Sequence, residues 1–265
     1  MKTITSRHNP IVGRFRSAAD EPDLSGTQLL LDGVHLVRDA FESGLSFEVI
    51  AVASSRLKSG SEEGRLATML DSEGLDVVET SDEVFAALSP VKTPSGIVAI
   101  ASRRPIGAAA LSSANNAFLL VVADVQEPGN VGAVLRAAEA GGVTGAFICG
   151  SSAHPFSWKA IRGSMGSALR LPIVAGLSID AAIDCLAKAG VRLVAAIPRG
   201  GEDPDTIEWR GKVALVLGGE GSGLDMGVLT QCETTVSIPM SPRVESLNIA
   251  TAAAVLVYAA RRART

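Results

Sequence analysis

With 265 residues, the chain is long enough for one large domain or two ordinary domains with buried cores. Hydrophobic residues make up 47% and charged residues 20%, a balance that indicates a soluble globular protein. The net charge of -4 gives no overall attraction to nucleic acid, so local basic patches would have to hold such a partner.

The first hundred residues alternate strand and helix patterns, which predicts a small α/β domain over residues 1–101. Its strands are predicted at residues 28–32, 47–52 and 96–101, and its helices at 33–43 and 61–73. A short basic segment precedes them, in which Arg7, Arg14 and Arg16 all come before the first acidic residue. It is either a solvated helix near a terminus or a patch that contacts phosphate groups.

Residues 102–116 (SRRPIGAAALSSANN) have no periodicity and are rich in small residues, which predicts a linker. A second domain, residues 117–265, then opens on the apolar run AFLLVVA, typical of a strand covered on both faces. Further strands are predicted at 146–149, 171–174, 192–197, 213–217 and 235–238, and helices at 130–140, 158–165, 179–189, 224–231 and 247–262. This alternation predicts a mostly parallel sheet.

The turn GGEGSG at residues 218–223 resembles a phosphate-binding loop but has the wrong spacing. A dinucleotide fingerprint would need glycine where Leu224 or Met226 stands, and the Gly-Lys pair of a P-loop is followed here by Val213. Glycines still let a backbone approach a ligand closely. Because Glu220 would repel a phosphate, the turn favours an uncharged or cationic ligand.

The histidines and cysteines show no spacing typical of a metal site, a redox pair or a catalytic triad. The cysteines are Cys149, Cys185 and Cys232, and we expect them to be reduced core thiols. The N-terminal stretch has no apolar signal region, and the longest apolar run is well short of the ~20 residues that a bilayer requires. These features predict a cytoplasmic protein that uses no metal and no membrane.

Three polar clusters remain at predicted strand exits, where α/β proteins hold ligands. Asn130 opens a helix that carries Arg136, a cation on an otherwise apolar face. The glycine turn is the second cluster. In the third, Ser246 could cap the last helix, with Asn248 in its first turn. Taken alone, Asn130 and Arg136 could equally be an N-cap and a surface residue.

At these clusters the sequence resembles the SpoU (TrmH) family of the SPOUT superfamily, RNA ribose 2′-O-methyltransferases that use S-adenosylmethionine. Its three ordered motifs resemble residues 124–138 (DVQEPGNVGAVLRAA), 215–224 (LVLGGEGSGL) and 238–250, with supporting residues GSMGS at 163–167. The first half is similar, more weakly, to the ribosomal-protein-like RNA-binding domain of many members. Gly219 stands where members often carry a larger polar residue, and Glu127 replaces a frequent aspartate.

The resemblance implies a trefoil-knotted C-terminal α/β domain, a rare exception to unknotted topology. It also implies a homodimer formed through that domain, with active sites at the subunit interface. A helix that is apolar on nearly every side, such as residues 247–260, must be buried somewhere, which suits a dimer. The resemblance further makes Arg7, Arg14 and Arg16 expected RNA contacts.

For the site, the resemblance implies S-adenosylmethionine held by Leu217, Gly218, Gly219, Gly221, Ile238, Met240, Leu247 and Ala196. The implied catalytic residues are Arg136, Asn130, Glu220, Ser246 and Asn248. Deprotonating an ordinary arginine at neutral pH costs roughly 7–8 kcal/mol. We therefore expect Arg136 mainly to orient the ribose hydroxyl and the adjacent phosphate.

The predicted reaction is in-line methyl transfer to a ribose hydroxyl of structured RNA, with ribosomal RNA of the 23S type favoured over transfer RNA. The substrate could instead be transfer RNA, or the chain could be an inactive RNA-binding protein on the same fold. Retention of all five catalytic residues together argues against inactivity. A nucleotide-dependent oxidoreductase is disfavoured by the failed glycine spacing.

Overall fold

A computed structural model describes residues 1–20, 26–219, 221 and 223–265, which form two compact units. The N-terminal unit comprises Met1–Pro105 and Phe156–Leu169, and the C-terminal unit comprises Ile106–Pro155 and Arg170–Thr265. The sequence analysis assigns residues 156–169 to the second domain, whereas in the structure these residues cluster with the N-terminal unit. Trp158 packs against the core of the N-terminal unit, and the Arg103 guanidinium lies 3.9 Å from the Phe156 ring centroid. The predicted domain boundaries stay a prediction.

The N-terminal unit is built on a five-stranded mixed sheet in the order β1-β4-β3-β5-β2. Strand β5 runs antiparallel to β2 and β3, and the other pairs are parallel. Serine side chains start two of its helices, since Ser61 accepts from Gly64 N and Ser81 from Val84 N. Its elements are β1 (Lys2–Ile4), α1 (Pro10–Asp20), β2 (Gln28–Asp32), α2 (Val34–Glu42), β3 (Ser46–Ala53), α3 (Ser54–Lys58), α4 (Glu62–Ser72), β4 (Val77–Thr80), α5 (Asp82–Leu88) and β5 (Ile97–Ser102).

The C-terminal unit is built on a six-stranded sheet in the order β11-β9-β10-β6-β7-β8, in which every neighbouring pair is parallel. Its elements are α6 (Ala108–Leu111), β6 (Phe118–Ala123), α7 (Pro128–Ala140), β7 (Gly145–Cys149), β8 (Ile173–Leu177), α10 (Ile179–Lys188), β9 (Arg192–Ala196), β10 (Val213–Gly218), α11 (Met226–Leu229), β11 (Thr234–Val236) and α12 (Ile249–Arg264). Between β7 and β8 the chain forms α8 (Trp158–Gly163) and α9 (Ser167–Arg170), of which α8 and the first three residues of α9 belong to the N-terminal unit. Every residue of β6 is buried, as its apolar run predicts. The predicted α/β class with a mostly parallel C-terminal sheet is confirmed, and the knot stays a prediction.

The predicted linker, residues 102–116, holds one short helix that is anchored in the C-terminal core. Leu111 at the end of α6 is buried in the hydrophobic cluster beneath the parallel sheet. It lies so close to Gly145 that a Cβ added there would be 2.3 Å from Leu111 Cδ1. The absence of a side chain at Gly145 therefore lets Leu111 pack against the start of β7.

None of the helices within the described ranges is long and apolar enough to cross a membrane.

Cysteine reactivity gives a first testable prediction. Cys149 is buried at the end of β7, and its burial, together with the nearby charge of Asp124, raises the pKa of the thiol to about 12. At about pH 8 roughly one such thiol in ten thousand is ionised, and the thiolate is the nucleophile. We expect Cys149 to resist iodoacetamide in the folded protein and to react after unfolding, as read by peptide mass mapping. Fast labelling of the folded protein would contradict this burial.

Candidate functional site

A cavity of about 210 Å³ lies at the carboxyl edge of the parallel sheet, beside the loops that follow β9, β10 and β11. Carboxyl ends of parallel strands are the usual ligand-binding edge of such sheets. All eight residues predicted to hold a cofactor line this cavity: Ala196, Leu217, Gly218, Gly219, Gly221, Ile238, Met240 and Leu247. The glycine turn and the loop after β11 thus both line this cavity.

The glycine turn forms one wall through its backbone. Gly221 and Gly223 adopt φ values of +110° and +66°, which side chains rarely tolerate. Gly218 leaves no room for a side chain, because a Cβ there would lie 2.4 Å from the Gly223 carbonyl carbon. The predicted catalytic residue Glu220 falls outside the described residues, as does Ser222.

The lining of the cavity is apolar. Ser246 carries the one polar side chain among the described residues that line it, and none of them carries a charge. The backbone of the glycine turn and of the segment after β11 also lines the cavity and offers polar groups to a ligand. A phosphate would find no cation there, whereas an uncharged ring system would find apolar contacts on several sides.

Helices α7 and α12 bring the first and third motifs together. They pack so closely that a Cβ added at Gly141 would lie 2.0 Å from Val257 Cγ1. At the other end of the pair, Asn248 Nδ2 donates a 3.2 Å hydrogen bond to Asn130 Oδ1. Arg136 lies on the exposed side of α7 and does not line the cavity.

Asn248 also caps α12. Its Oδ1 accepts from Ala250 N at 3.0 Å and Thr251 N at 3.4 Å, so the helix begins at Ile249, two residues later than predicted. An N-cap contributes about 1 kcal/mol to stability. Asn248 is therefore both the start of α12 and a link to α7.

Replacing Asn248 should separate these two roles. Asn248→Asp keeps the capping oxygen but loses the amide donor to Asn130, whereas Asn248→Ala loses both. We expect Asn248→Ala to lower stability by about 1–2 kcal/mol and Asn248→Asp to stay near the parent in thermal unfolding. The activity that the sequence resemblance implies should fall in both variants. Full activity in Asn248→Asp would show that the bond to Asn130 does not matter.

The basic N-terminal residues have partners within their own unit. Arg7 Nη2 lies 3.2 Å from Glu83 Oε1, and Arg14 Nη2 lies 2.8 Å from Glu48 Oε2. Arg16 Nε donates to the Ala87 carbonyl at 3.3 Å. Carboxylates therefore offset part of the positive charge of this segment, although Arg7 and Arg14 remain about half exposed.

Sequence reasoning missed two kinds of residue at this site. The apolar lining residues Ile197, Val236 and Leu256 look like ordinary core positions in a sequence. Asp124, at the end of β6, has a left-handed backbone with φ of 59°, and its Oδ1 accepts from Ser151 N at 2.8 Å and Ser151 Oγ at 2.9 Å. A non-glycine residue in that conformation is the available signal, and it needs a structure to be seen.

A parallel sheet has exit loops that line a cavity with no charged side chain among its described residues, beside an arginine-bearing helix bonded to the capping asparagine of the last helix. These are the features expected of a methyltransferase domain of the SPOUT type. Residues 117–258 match the SpoU rRNA Methylase family, and the chain belongs to that family. Residues 25–99 match the MRM3-like substrate binding domain. The family resemblance drawn from the sequence is thus confirmed, and the ribosomal-protein-like character of the N-terminal domain stays a prediction.

Relatives cover nearly the whole chain. A Synechocystis protein named as an uncharacterised tRNA/rRNA methyltransferase is 32% identical over 98% of this chain and 93% of its own length. The 23S rRNA (guanosine(2553)-2′-O)-methyltransferase RlmP of Bacillus subtilis is 29% identical over 97% of this chain and 98% of its own. A solved structure of an AdoMet-bound rRNA methyltransferase from Sinorhizobium meliloti, 27% identical, has a TM-score of 0.85 over 98% of this chain and 97% of that one.

Proposed function

We propose that this protein transfers a methyl group from S-adenosylmethionine to the 2′-hydroxyl of a ribose in ribosomal RNA. The observation that carries the proposal is the cavity lined by all eight expected cofactor residues, with no charged side chain among its described residues, beside the bond between Asn248 and Asn130. Support comes from family membership and from the Bacillus subtilis relative, whose name gives this reaction on 23S rRNA.

The residues present fit S-adenosylmethionine. When bound, it supplies an electrophilic sulfonium methyl group, so the nucleophile is what the protein must position. The glycine turn and the segment at Ile238 and Met240 would hold the cofactor through backbone groups and apolar contacts. The cavity is uncharged in its described lining, and an adenosyl group needs no cation.

Arg136 is proposed to orient the ribose hydroxyl and the neighbouring phosphate. Its guanidinium presents a planar fork of donors that suits a phosphate, and its exposed position on α7 leaves it open to RNA. Asn130 and Asn248 would fix the start of α7 and of α12 relative to each other through their hydrogen bond. Ser246 and Glu220 would complete the site from the two loops.

A homodimer through the C-terminal unit is part of the proposal. Val255 and Tyr258 on α12 are 42% and 45% exposed, so this helix keeps an outward apolar stripe beside its buried face. An exposed apolar stripe on a packed helix fits a partner surface. A second copy seated there would place its own groups near Arg136, because α7 packs along α12.

The N-terminal unit is proposed to bind the RNA substrate, with Arg7, Arg14 and Arg16 among its contacts. Its match to a substrate-binding domain family supports this role. Ribosomal RNA as substrate also fits a cytoplasmic protein. Together the two units would bind RNA at one and modify it at the other.

The test uses purified protein and labelled S-adenosylmethionine with deproteinised ribosomal RNA and, separately, transfer RNA, both from cells that lack the protein. We expect label in 23S rRNA at one ribose, which mapping of 2′-O-methyl groups would locate. Label in transfer RNA alone would replace the substrate class. Cofactor and RNA binding without label would instead favour an inactive RNA-binding protein.

A further inference from the structure

Arg199 ties together two loops that frame the cavity. It follows β9 by three residues, directly after the cavity-lining Ile197 and Pro198. Its Nη2 donates to three backbone carbonyls of the loop before α12: Val244 at 2.6 Å, Pro242 at 3.3 Å and Ser241 at 3.4 Å. The Arg199 guanidinium therefore contacts the main chain of residues 241–244 at three carbonyl groups.

The turn that Arg199 holds lies between two lining residues of the cavity. Met240 precedes it, and Ser246 follows it. Within it, Val244 N donates to Ser241 O at 3.0 Å, so the turn is closed by its own bond as well. Any displacement of this turn would move both residues, and with them the wall opposite the glycine turn.

Ser237 also links the same two loops by hydrogen bonds, close to the strands from which the loops emerge. Ser237 Oγ donates to Ile197 O at 3.0 Å and accepts from Gly201 N at 2.8 Å. Ser237 lies at the root of the loop, next to β11, and is buried. Arg199 acts further out, at exposed positions, where the main chain has few other constraints.

We propose that Arg199 is a positioning residue that preforms the wall of the S-adenosylmethionine site made by residues 238–247. The inference rests on the proposed function and adds a residue outside the three motifs. All three bonds come from the one nitrogen Nη2, and an arginine suits the task because its guanidinium is planar, permanently charged and more weakly hydrated than the ammonium of lysine. Preformed sites bind more tightly because less loop ordering opposes binding.

The test is the affinity of purified full-length Arg199→Ala and Arg199→Lys for S-adenosylmethionine and S-adenosylhomocysteine, measured by calorimetry. We expect the dissociation constants to rise about tenfold or more in Arg199→Ala, since hydrogen bonds from a charged donor are among the stronger ones. Arg199→Lys should fall between it and the parent. The KM for the methyl donor should rise, with kcat at saturation and the KM for RNA unchanged.

Arg192→Ala is the matched control. Arg192 lies at the amino end of the same strand, and its Nη2 also clamps backbone carbonyls, those of Glu208 and Arg210, away from the cavity. The affinity of Arg192→Ala for S-adenosylmethionine should equal that of the parent protein. If Arg192→Ala loses affinity as much as Arg199→Ala does, the effect is general destabilisation and the inference is wrong.

The remaining outcomes are also decisive. Parent-like cofactor affinity in Arg199→Ala, or a rise in the KM for RNA alone, would overturn the positioning role. If Arg199→Ala does not fold, the test rests on Arg199→Lys, whose cofactor affinity and thermal unfolding with saturating S-adenosylmethionine are compared with those of the parent, and parent-like affinity in Arg199→Lys would then overturn the inference. A parent protein that binds no S-adenosylmethionine would contradict the proposed function itself, which distinguishes that failure from failure of this inference.

Discussion

Arg136→Ala should lose methyl transfer while keeping its affinity for S-adenosylmethionine. Arg136 is exposed on α7 and does not line the cavity, so its removal leaves the cofactor site intact. Loss of a group that orients and stabilises the reacting atoms typically costs about a hundredfold or more in rate. Single-turnover methylation and calorimetry on the same preparation measure the two quantities.

Two variants sharpen this test. Arg136→Lys keeps the positive charge but not the bidentate fork, and we expect it to recover little of the rate. Arg210→Ala removes an exposed arginine elsewhere in the C-terminal unit and should methylate at the parental rate. If Arg136→Ala still methylates normally, the arginine has no part in the reaction.

Gly219→Ala should damage both folding and cofactor binding. A Cβ at this position would lie 2.0 Å from the Asp124 carbonyl oxygen and 2.7 Å from its carbonyl carbon. Backbone atoms cannot swing aside as a flexible side chain can, and Asp124 is held in its left-handed conformation by two hydrogen bonds from Ser151. We expect a loss of about 1–3 kcal/mol in the free energy of unfolding, together with a large loss of cofactor affinity.

Gly107→Ala is the control for this prediction. Gly107 has a φ of −82°, and a Cβ there would meet no atom within 4 Å. Its unfolding midpoint and cofactor affinity should match those of the parent. If Gly219→Ala has the unfolding midpoint and the cofactor affinity of the parent, the loop after β6 can shift to make room for the added Cβ, and the prediction is wrong.

The local pattern of the sequence determined most of the parallel sheet and the chemistry of the glycine turn. The run at residues 117–123 predicts a buried strand because only apolar side chains can face packing on both sides of a sheet. The position of Leu224 excludes a dinucleotide loop, because the third glycine of that fingerprint is needed for close packing. These features depend on neighbours in the chain, so a sequence carries them. The motif residues then identified the family.

The tertiary structure alone decided which distant groups meet. Residues 156–169 pack with the N-terminal unit although they lie between strands β7 and β8 in the sequence. Their helical pattern predicts a helix but does not indicate which unit that helix packs against. Asn248 meets Asn130 across 118 positions. Arg199 recognises carbonyl oxygens, which every residue possesses, so no side-chain pattern can reveal its partners. The conformational preferences of neighbouring residues determine the helices and strands. The contacts between these elements are determined only when the chain folds, because nearly every residue carries the same backbone donor and acceptor groups.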